Sequence, residues 1–472
     1  MKLSLEFNTG ISITEQLAGQ IEAQIRSNIL NVGAKLPSIR QLAANQKIGL
    51  SPVVEAYELL ASRGLVHPRH GSGYYVANFV DVGKSSPETL DRRRTEEDAS
   101  RILQQFSHQS DVLKLSSGFI PEGWRDIEGI THTIRQISRQ NVGSLIDYAM
   151  PQGDAKLRDQ ICIRLGMIGI DAKLDNVMIT NSASHALDLV VRTMLKAGDT
   201  VFVEDPGYFN LFGLLSLQGI KLVGIPRLAG GPDVEVVEEL LRYHKPKAFF
   251  INSVFHNPTA TNLSQKVAYQ LLQLANRHGF FIIEDDVYAD FQTTPSARLA
   301  ALDQFDRVIY IGGFSKTLSS SLRLGYMAGK SELIRHLVDV KVLTSLGGTR
   351  LSELVVASLL ESGLYRKHLK HLARRMNDTL SDAIEQLIRC GWRVFDDPCG
   401  GTFIWASVPG IEQSETLAEG ASQFNIAMSP GNIYRPNQEP TAWIRINAAH
   451  AMENRAAEYM MHMAEIGRQR RR

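Results

Sequence analysis

The stretch "GFFIIEDDVYADF" runs from Gly279 to Phe291. Its run of Phe and Ile is too short for an ordinary helix, starts at a glycine and ends in three acids, Glu284, Asp285 and Asp286. That pattern predicts a strand buried on both faces whose end carries charge. Four further runs read the same way: "NVMIT", "TVFVED", "KAFFINS" and "RVIYIGGF". Helical patterns lie between several of them, such as "HALDLVVRTMLKAG" and "QKVAYQLLQLANRHG". Strands alternating with helices predict an α/β domain built on a parallel sheet, with its site at the strands' C-terminal ends. Beyond about residue 360 the pattern changes to a long helix, "LYRKHLKHLARRMNDTLSDAIEQLIRCG", followed by short strands. This segment, 361–472, reads as a smaller α+β domain, with the larger part over 113–360.

The 472 residues are too many for one core, and 44% hydrophobic with 21% charged is ordinary globular composition. A net charge of +1 gives no global hint of a nucleic-acid or acidic partner. No run reaches membrane-span length, and the N-terminus lacks a signal-peptide core. Three scattered cysteines, Cys162, Cys390 and Cys399, form neither a disulfide framework nor a CxxC metal site, so no metal is expected. A reduced, cytoplasmic protein is the natural expectation.

Residues 79–112 are polar, with blocks of like charge at Arg92–Arg94 and Glu96–Asp98, and read as a linker that turns helical toward Ile102–Phe106. Residues 1–78 read as three short helices and a hairpin. "TEQLAGQIEAQIRSNIL" places Leu17, Ile21, Ile25 and Ile29 on one face, with Thr14 as its cap. Ser38 and Gln41 form a capping-box pattern for the second helix. Ser51 caps the third, with Pro52 next and Gly64 as its stop. "LVHPRHGSGYYVA" then gives two short strands. This is a winged helix-turn-helix layout, in which the second helix of the pair enters the major groove and the wing touches the backbone. The segment holds seven basic and five acidic residues. Lys35, Arg40, Lys47, Arg69 and His70 fall at the turn, the helix starts and the wing. The alternative is a small helical dimerisation module.

Lys316 follows the last strand-like run, in "RVIYIGGFSKTLSSSLRLGY". A lysine amine is a useful nucleophile only when its pKa is lowered or when it is held as an imine on a carbonyl cofactor. Pyridoxal 5′-phosphate (PLP), the common such cofactor, needs a lysine, a carboxylate for its ring nitrogen, donors for its ring oxygen, a partner for its π-face and a phosphate cup. Strand ends in this chain supply the set. Asp285 suits the ring nitrogen, Tyr288 and Asn257 the ring oxygen, and Tyr208 the ring face. Ser182, Ala183 and Ser184 open a helix and, with Ser315 and Arg323, suit a phosphate. Arg445, between apolar neighbours in "AWIRINAAH", needs an anion such as a substrate carboxylate. Each has an ordinary alternative: Asn257 as a turn residue, the acids as a metal site or helix cap, the tyrosines as core, Arg445 as a structural ion pair.

Two resemblances follow. "GAKLPSIRQLAANQKIGLSPVVEAYELLASRGLVHPRHGSGYYV" resembles the GntR-family winged-helix domain. That resemblance implies DNA contacts from Ser38, Arg40, the start of the third helix at Ser51 and Pro52, and the wing glycines Gly71 and Gly73, to which placement adds Lys35, Arg69 and His70; at Pro52 the family often has arginine. "YAMPQGDAKLRDQI", "EDPGYF", "HNPT", "EDDVYADF", "FSKTLSSSLRLGY", "PCGGTFIWA" and "WIRIN" resemble the fold-type I, class I/II aminotransferase group of PLP enzymes. Ser182-Ala183-Ser184, Gly313 and Ala260 stand where that group usually has Gly-Ser-Gln, Ser and Gly. The resemblance implies Lys316 as the Schiff-base lysine and the roles above, with Tyr148 reaching the phosphate site of a neighbouring subunit in a homodimer. The two modules in this order resemble the MocR-type subfamily of GntR regulators. That implies a transcriptional regulator that binds operator DNA and senses an amine or amino acid through an aldimine on Lys316. A working aminotransferase carrying a DNA-binding domain, and a scaffold with a dead site, are the competing readings.

Overall fold

The structure is a computed structural model and describes residues 5, 12–26, 30, 33–63, 65–69, 73–76, 111–140, 143, 146–293, 296–396, 398 and 400–471. The chain divides into two compact units, Met1–Leu90 and Asp91–Arg472. The expected linker lies almost wholly outside the described residues, as do Ile29 and Gly64.

The first unit comprises helices α1 (Ile13–Arg26), α2 (Ile39–Gln46) and α3 (Leu50–Ser62), then strands β1 (Val66–Arg69) and β2 (Gly73–Val76). The strands pair antiparallel, with Arg69 opposite Gly73 at the hairpin end. Leu17, Ile21 and Ile25 of α1 pack on Leu42, Val53, Tyr57 and Leu60. Each such buried side chain contributes about 1.5–3 kcal/mol, and the Tyr57 hydroxyl donates to Pro37 O at 2.8 Å.

Two caps differ from expectation. Helix α1 starts before Thr14: Ser12 Oγ accepts from Glu15 N at 3.2 Å, and Glu15 Oε2 accepts from Ser12 N at 3.4 Å. This is a capping box at Ser12 rather than at Thr14, and it frees Thr14 to donate to Glu55 on α3. Helix α3 is capped by Gly49 without a side-chain bond, so Ser51 is its second residue. Pro52 still falls in the first turn, where backbone N–H groups have no helical partner. Ser38 does cap α2, accepting from Gln41 N at 3.2 Å.

The second unit is built on an eight-stranded sheet. Its strands are β3 (Val177–Thr180), β4 (Thr200–Asp205), β5 (Lys221–Leu228), β6 (Gly231–Pro232), β7 (Ala248–Asn252), β8 (Phe281–Asp285), β9 (Val308–Gly313) and β10 (Gly325–Ala328), in spatial order β3-β10-β9-β8-β7-β4-β5-β6. The pairs from β5 through β4, β7 and β8 to β9 are parallel. The sheet is mixed rather than wholly parallel, because β10 runs antiparallel to both β9 and β3, and β6 antiparallel to β5. Helices cover both faces, which is why the central strands read as unbroken apolar runs. Phe249, Ile251 and Ile282 pack in one core, and Ala248, Phe250 and Ile283 in the other.

Helix Leu364–Cys390 leads to a three-stranded antiparallel sheet of β11 (Arg393–Val394), β12 (Phe403–Ser407) and β13 (Trp443–Asn447). Trp405 lies opposite Arg445. Helices Ser414–Ala421 and Asn454–Arg471 close its core around Leu417, Ile444, Ile446 and Tyr459. Among the described residues, no helix is long and apolar enough to cross a membrane.

Candidate ligand cavity and DNA-facing surface

The three acids at the end of β8 have three fates: Glu284 and Asp285 point to opposite faces because successive side chains on a strand alternate, and Asp286 lies just past the strand's last residue. Glu284 turns into the core, where its carboxylate accepts from Leu299 N and Ala300 N at 2.8 Å each, capping the helix Leu299–Asp303. Asp286 accepts from Arg298 Nε at 2.9 Å and from the Tyr310 hydroxyl at 2.8 Å. Asp285 faces a cavity of about 470 Å3 that Lys316 also lines.

Lys316 enters that cavity from the turn after β9. Its Nζ donates to Gly118 O at 3.1 Å and lies 5.0 and 5.5 Å from the ring centres of Phe119 and Tyr288. Burial first, and then the nearby Arg445 and Arg125 guanidinium groups, lower its pKa to about 8 against the pull of Asp285. Asp285 is the reverse case. Burial and the neighbouring Asp286 carboxylate push it up to about 7, opposed by the Val287 N–H and by Lys316. Asn252, at the end of β7, ties the floor together. Its Nδ2 donates to Asp285 O at 2.7 Å, and its Oδ1 accepts from Asn257 N at 2.8 Å. Asn252 is itself anchored by the buried Arg227–Glu204 pair, with Glu204 accepting from Asn252 N at 2.7 Å.

Arg445 reaches the cavity from β13 with 2% exposure. Nε donates to Ser116 O at 3.2 Å, Nη2 donates to the same carbonyl, and Nη1 donates to Asn257 Oδ1 at 2.8 Å. The guanidinium lies over the rings of Phe403 and Tyr434, at 4.2 and 4.9 Å. Among the described residues no carboxylate lies within ion-pair distance of it, so the structural ion pair is not found. A buried cation without an anion is costly, and an anionic ligand would offset that cost.

Tyr208, following β4, lines the cavity and accepts from Asn210 Nδ2 at 3.0 Å. Burial and Asp285 raise its hydroxyl pKa. Tyr288 lines it too, buried and packed edge-on to Phe403. Helix Ala183–Met194 aims its N-terminus at the cavity, with Ser182 Oγ spent on capping His185 N at 3.0 Å. Gly325 allows this approach, since a Cβ there would stand 2.5 Å from Ser182 C and 2.6 Å from Ala183 N. Ser184, Ser315 and Arg323 complete that wall. Arg323 takes a left-handed backbone, φ 49°, and has no carboxylate within ion-pair distance among the described residues.

The cavity therefore joins all the expected residues except one. Tyr148 does not line it and is 83% exposed. Sequence reasoning missed the segment Ser116–Phe119, whose backbone carbonyls hold Arg445 and Lys316, and also Asn252, Tyr434 and Arg125. A second cavity of about 730 Å3, beside the helix Ala155–Met167, is walled by the Arg164–Asp290 and Arg298–Asp286 ion pairs. These charges already satisfy each other.

The groups fit PLP. Asp285 is a raised carboxylate facing the cavity with Lys316 as its nearby cation, which suits a protonated ring nitrogen. A helix N-terminus and the unpaired Arg323 suit a phosphate.

In the first unit, Lys35, Ser38, Arg40 and Ser51 are exposed and Pro52 is partly exposed. Arg69 and Gly73 end the hairpin strands, while His70 and Gly71 lie outside the described residues.

Residues 110–461 match the family described as aminotransferase class I and II, and residues 13–76 match the bacterial regulatory proteins of the gntR family. The chain is 28% identical over 453 residues to an uncharacterized HTH-type transcriptional regulator, YisV, of Bacillus subtilis (strain 168), covering 92% of each chain. A crystal structure of Pyrococcus horikoshii kynurenine aminotransferase in complex with PMP superposes with a TM-score of 0.73 at 27% identity, covering 79% of this chain and 94% of that one. The alpha-aminoadipate aminotransferase LysN of Thermus thermophilus, complexed with N-(5′-phosphopyridoxyl)-L-leucine, gives 0.70 at 26% identity, covering 79% and 96%.

Proposed function

The chain belongs to the aminotransferase class I and II family and carries a gntR-family regulatory domain, and from that premise we propose that it is a DNA-binding transcriptional regulator whose PLP cavity senses an amine or amino acid. The observation that carries the reading is the pairing, on one chain, of a cavity holding a low-pKa lysine and an anion-free buried arginine with a winged unit exposing Lys35, Ser38 and Arg40. PLP supplies an electrophilic aldehyde and a ring that accepts electron pairs from a bound amine. The protein's own residues do the rest. Lys316 is the covalent anchor, and its lowered pKa keeps much of it neutral near pH 8. Asp285 holds the proton at the ring nitrogen. Tyr288 and the Asn257 amide nitrogen serve the ring oxygen, the latter because Arg445 already occupies Asn257 Oδ1. Tyr208 covers the ring. The N-terminus of helix Ala183–Met194, with Ser182, Ser184, Ser315 and Arg323, holds the phosphate, and Arg445 takes the ligand carboxylate. On the winged unit, Lys35, Ser38, Arg40, Ser51, Pro52 and the wing around Arg69–Gly73 meet the operator.

The protein acts as a homodimer. Ile146 (81%), Tyr148 (83%), Met150 (70%) and Leu343 (87%) are large apolar or aromatic side chains left exposed. They belong to adjoining segments, since Arg350 pairs with Asp147 at 2.9 Å and a Cβ on Gly347 would stand 3.0 Å from Ala149 O. A second copy of the chain covers this patch, which brings Tyr148 to the neighbour's phosphate wall.

Turnover is the second reading, favoured by the presence of lysine, carboxylate and anion-binding arginine together. Titration of the protein against its own upstream DNA, with and without PLP and across a panel of amino acids, separates the two. A regulator shows salt-dependent specific binding whose affinity changes with one ligand class. DNA affinity indifferent to PLP and every ligand, beside steady-state transamination at ordinary enzyme rates, refutes sensing.

A further inference from the structure

We propose that Arg125 is a second anion-binding residue of the ligand cavity, so that the preferred ligand is an amino acid whose side chain carries its own acidic group. This rests on reading the cavity as an amino-acid site. Arg125 lines a neighbouring hollow of about 760 Å3, and that hollow shares Phe119 and Ser320 with the cavity holding Lys316. Its two side-chain hydrogen bonds are long: Nη2 to Ile120 O at 3.3 Å and Nη1 to Ser320 Oγ at 3.5 Å.

Among the described residues no carboxylate lies within ion-pair distance of Arg125, although it is half-buried. Glu122 also lines that hollow, outside ion-pair distance of Arg125, and the hollow's Arg455 and His450 are engaged. Arg455 donates to Asp111 O and to Glu453 Oε2, and the His450 ring nitrogen bonds Phe119 O at 3.2 Å. Burial weakens the hold of Arg125 on its proton, with Glu122 opposing.

Lys316 thus has two cations near it, Arg445 and Arg125, and each lacks a carboxylate. A ligand amine bound toward Lys316, with its α-carboxylate on Arg445, uses only the first. Its side chain leads into the shared wall at Ser320 and Phe119. A neutral side chain leaves Arg125 partly desolvated and unpaired; an acidic one closes a charge-assisted pair.

The test is calorimetric titration of the full-length, PLP-loaded protein. The ligands are L-glutamate, L-aspartate and O-phospho-L-serine, set against L-glutamine, L-asparagine and L-alanine. Glutarate against butyrate asks the same question without an amine to react. The acidic member of each pair binds about tenfold or more tightly, and Arg125→Gln brings the ratio toward one. Arg125→Lys keeps the charge but loses the fork, and leaves an intermediate ratio. No preference for the acidic member in the wild-type protein, or a preference unchanged in Arg125→Gln, overturns the inference while leaving amino-acid sensing intact. Failure of every amino acid, acidic or neutral, to bind overturns both.

Discussion

Capture of PLP by the cofactor-free protein is expected to follow the protonation of Lys316. Only the neutral amine attacks an aldehyde. With its pKa lowered to about 8, about a quarter of the lysine is neutral at pH 7.5, whereas an ordinary exposed lysine would be neutral about one time in a thousand. The environment of Lys316 therefore accelerates capture about 200-fold at that pH. Stopped-flow absorbance, with protein mixed against PLP from pH 6 to 9.5, should give a rate that climbs roughly tenfold per unit at first and levels above pH 8. Arg445→Met removes the stronger of the two cationic influences and should move the midpoint upward and slow capture at pH 7.5. A rate still climbing steeply at pH 9.5 would refute the account, since it would mean that neither burial nor Arg445 depresses the amine.

Other expectations follow from the same geometry. Asp285 and Glu284 both have folded-state pKa values raised to about 7. Their contribution to stability is therefore present below their unfolded values near 4 and is lost as pH rises through 7. Cofactor-free protein should lose stability between about pH 4 and 7, by up to about 3–4 kcal/mol per group at 1.36 kcal/mol per pK unit; Asp285→Asn should flatten part of a thermal-melt pH series, and an unchanged slope would contradict this. Gly325→Ala forces a Cβ against backbone that cannot swing away. A cost of about 1–3 kcal/mol should appear as weaker binding of PLP and of inorganic phosphate, and equal affinities would show that the helix start adapts freely. In the winged unit, Ser12→Ala should destabilise by about 1 kcal/mol through the lost cap, while Thr14→Ala should cost less; denaturant titration of both decides it. Arg40→Ala should weaken DNA binding across sequences and lower the salt slope by about one. A loss confined to one DNA sequence would instead make it a base-reading residue.

The strand ends are legible because burial on both faces leaves an unmistakable apolar run, and because the residue types PLP needs stand at the ends of successive runs. The antiparallel β10 is not: "GYMA" is four residues long, and nothing in it encodes direction. The cap of α1 is ambiguous in sequence between two hydroxyl residues, Ser12 and Thr14, and only the reciprocal Glu15 bond decides it. The fates of Glu284, Asp285 and Asp286 depend on which face each one meets, not on their shared chemistry. Ser116–Phe119 is invisible for a plainer reason. It acts through main-chain carbonyls, which every residue has, on side chains 198 and 329 positions away.

That segment ties both cavity cations to one short strip of main chain. Within a few residues of Asp111 the chain delivers Ser116 O to Arg445 and Gly118 O to Lys316. Asn447 clamps the same strip through Ser117 O and Phe119 O at 2.8 Å each. A ligand carboxylate placed on Arg445 would compete there with Ser116 O, and a covalent bond at Lys316 Nζ would leave fewer protons for Gly118 O. Occupancy of the cavity is then legible in one small set of hydrogen bonds along Ser116–Phe119, and the lysine works as a latch as much as an anchor.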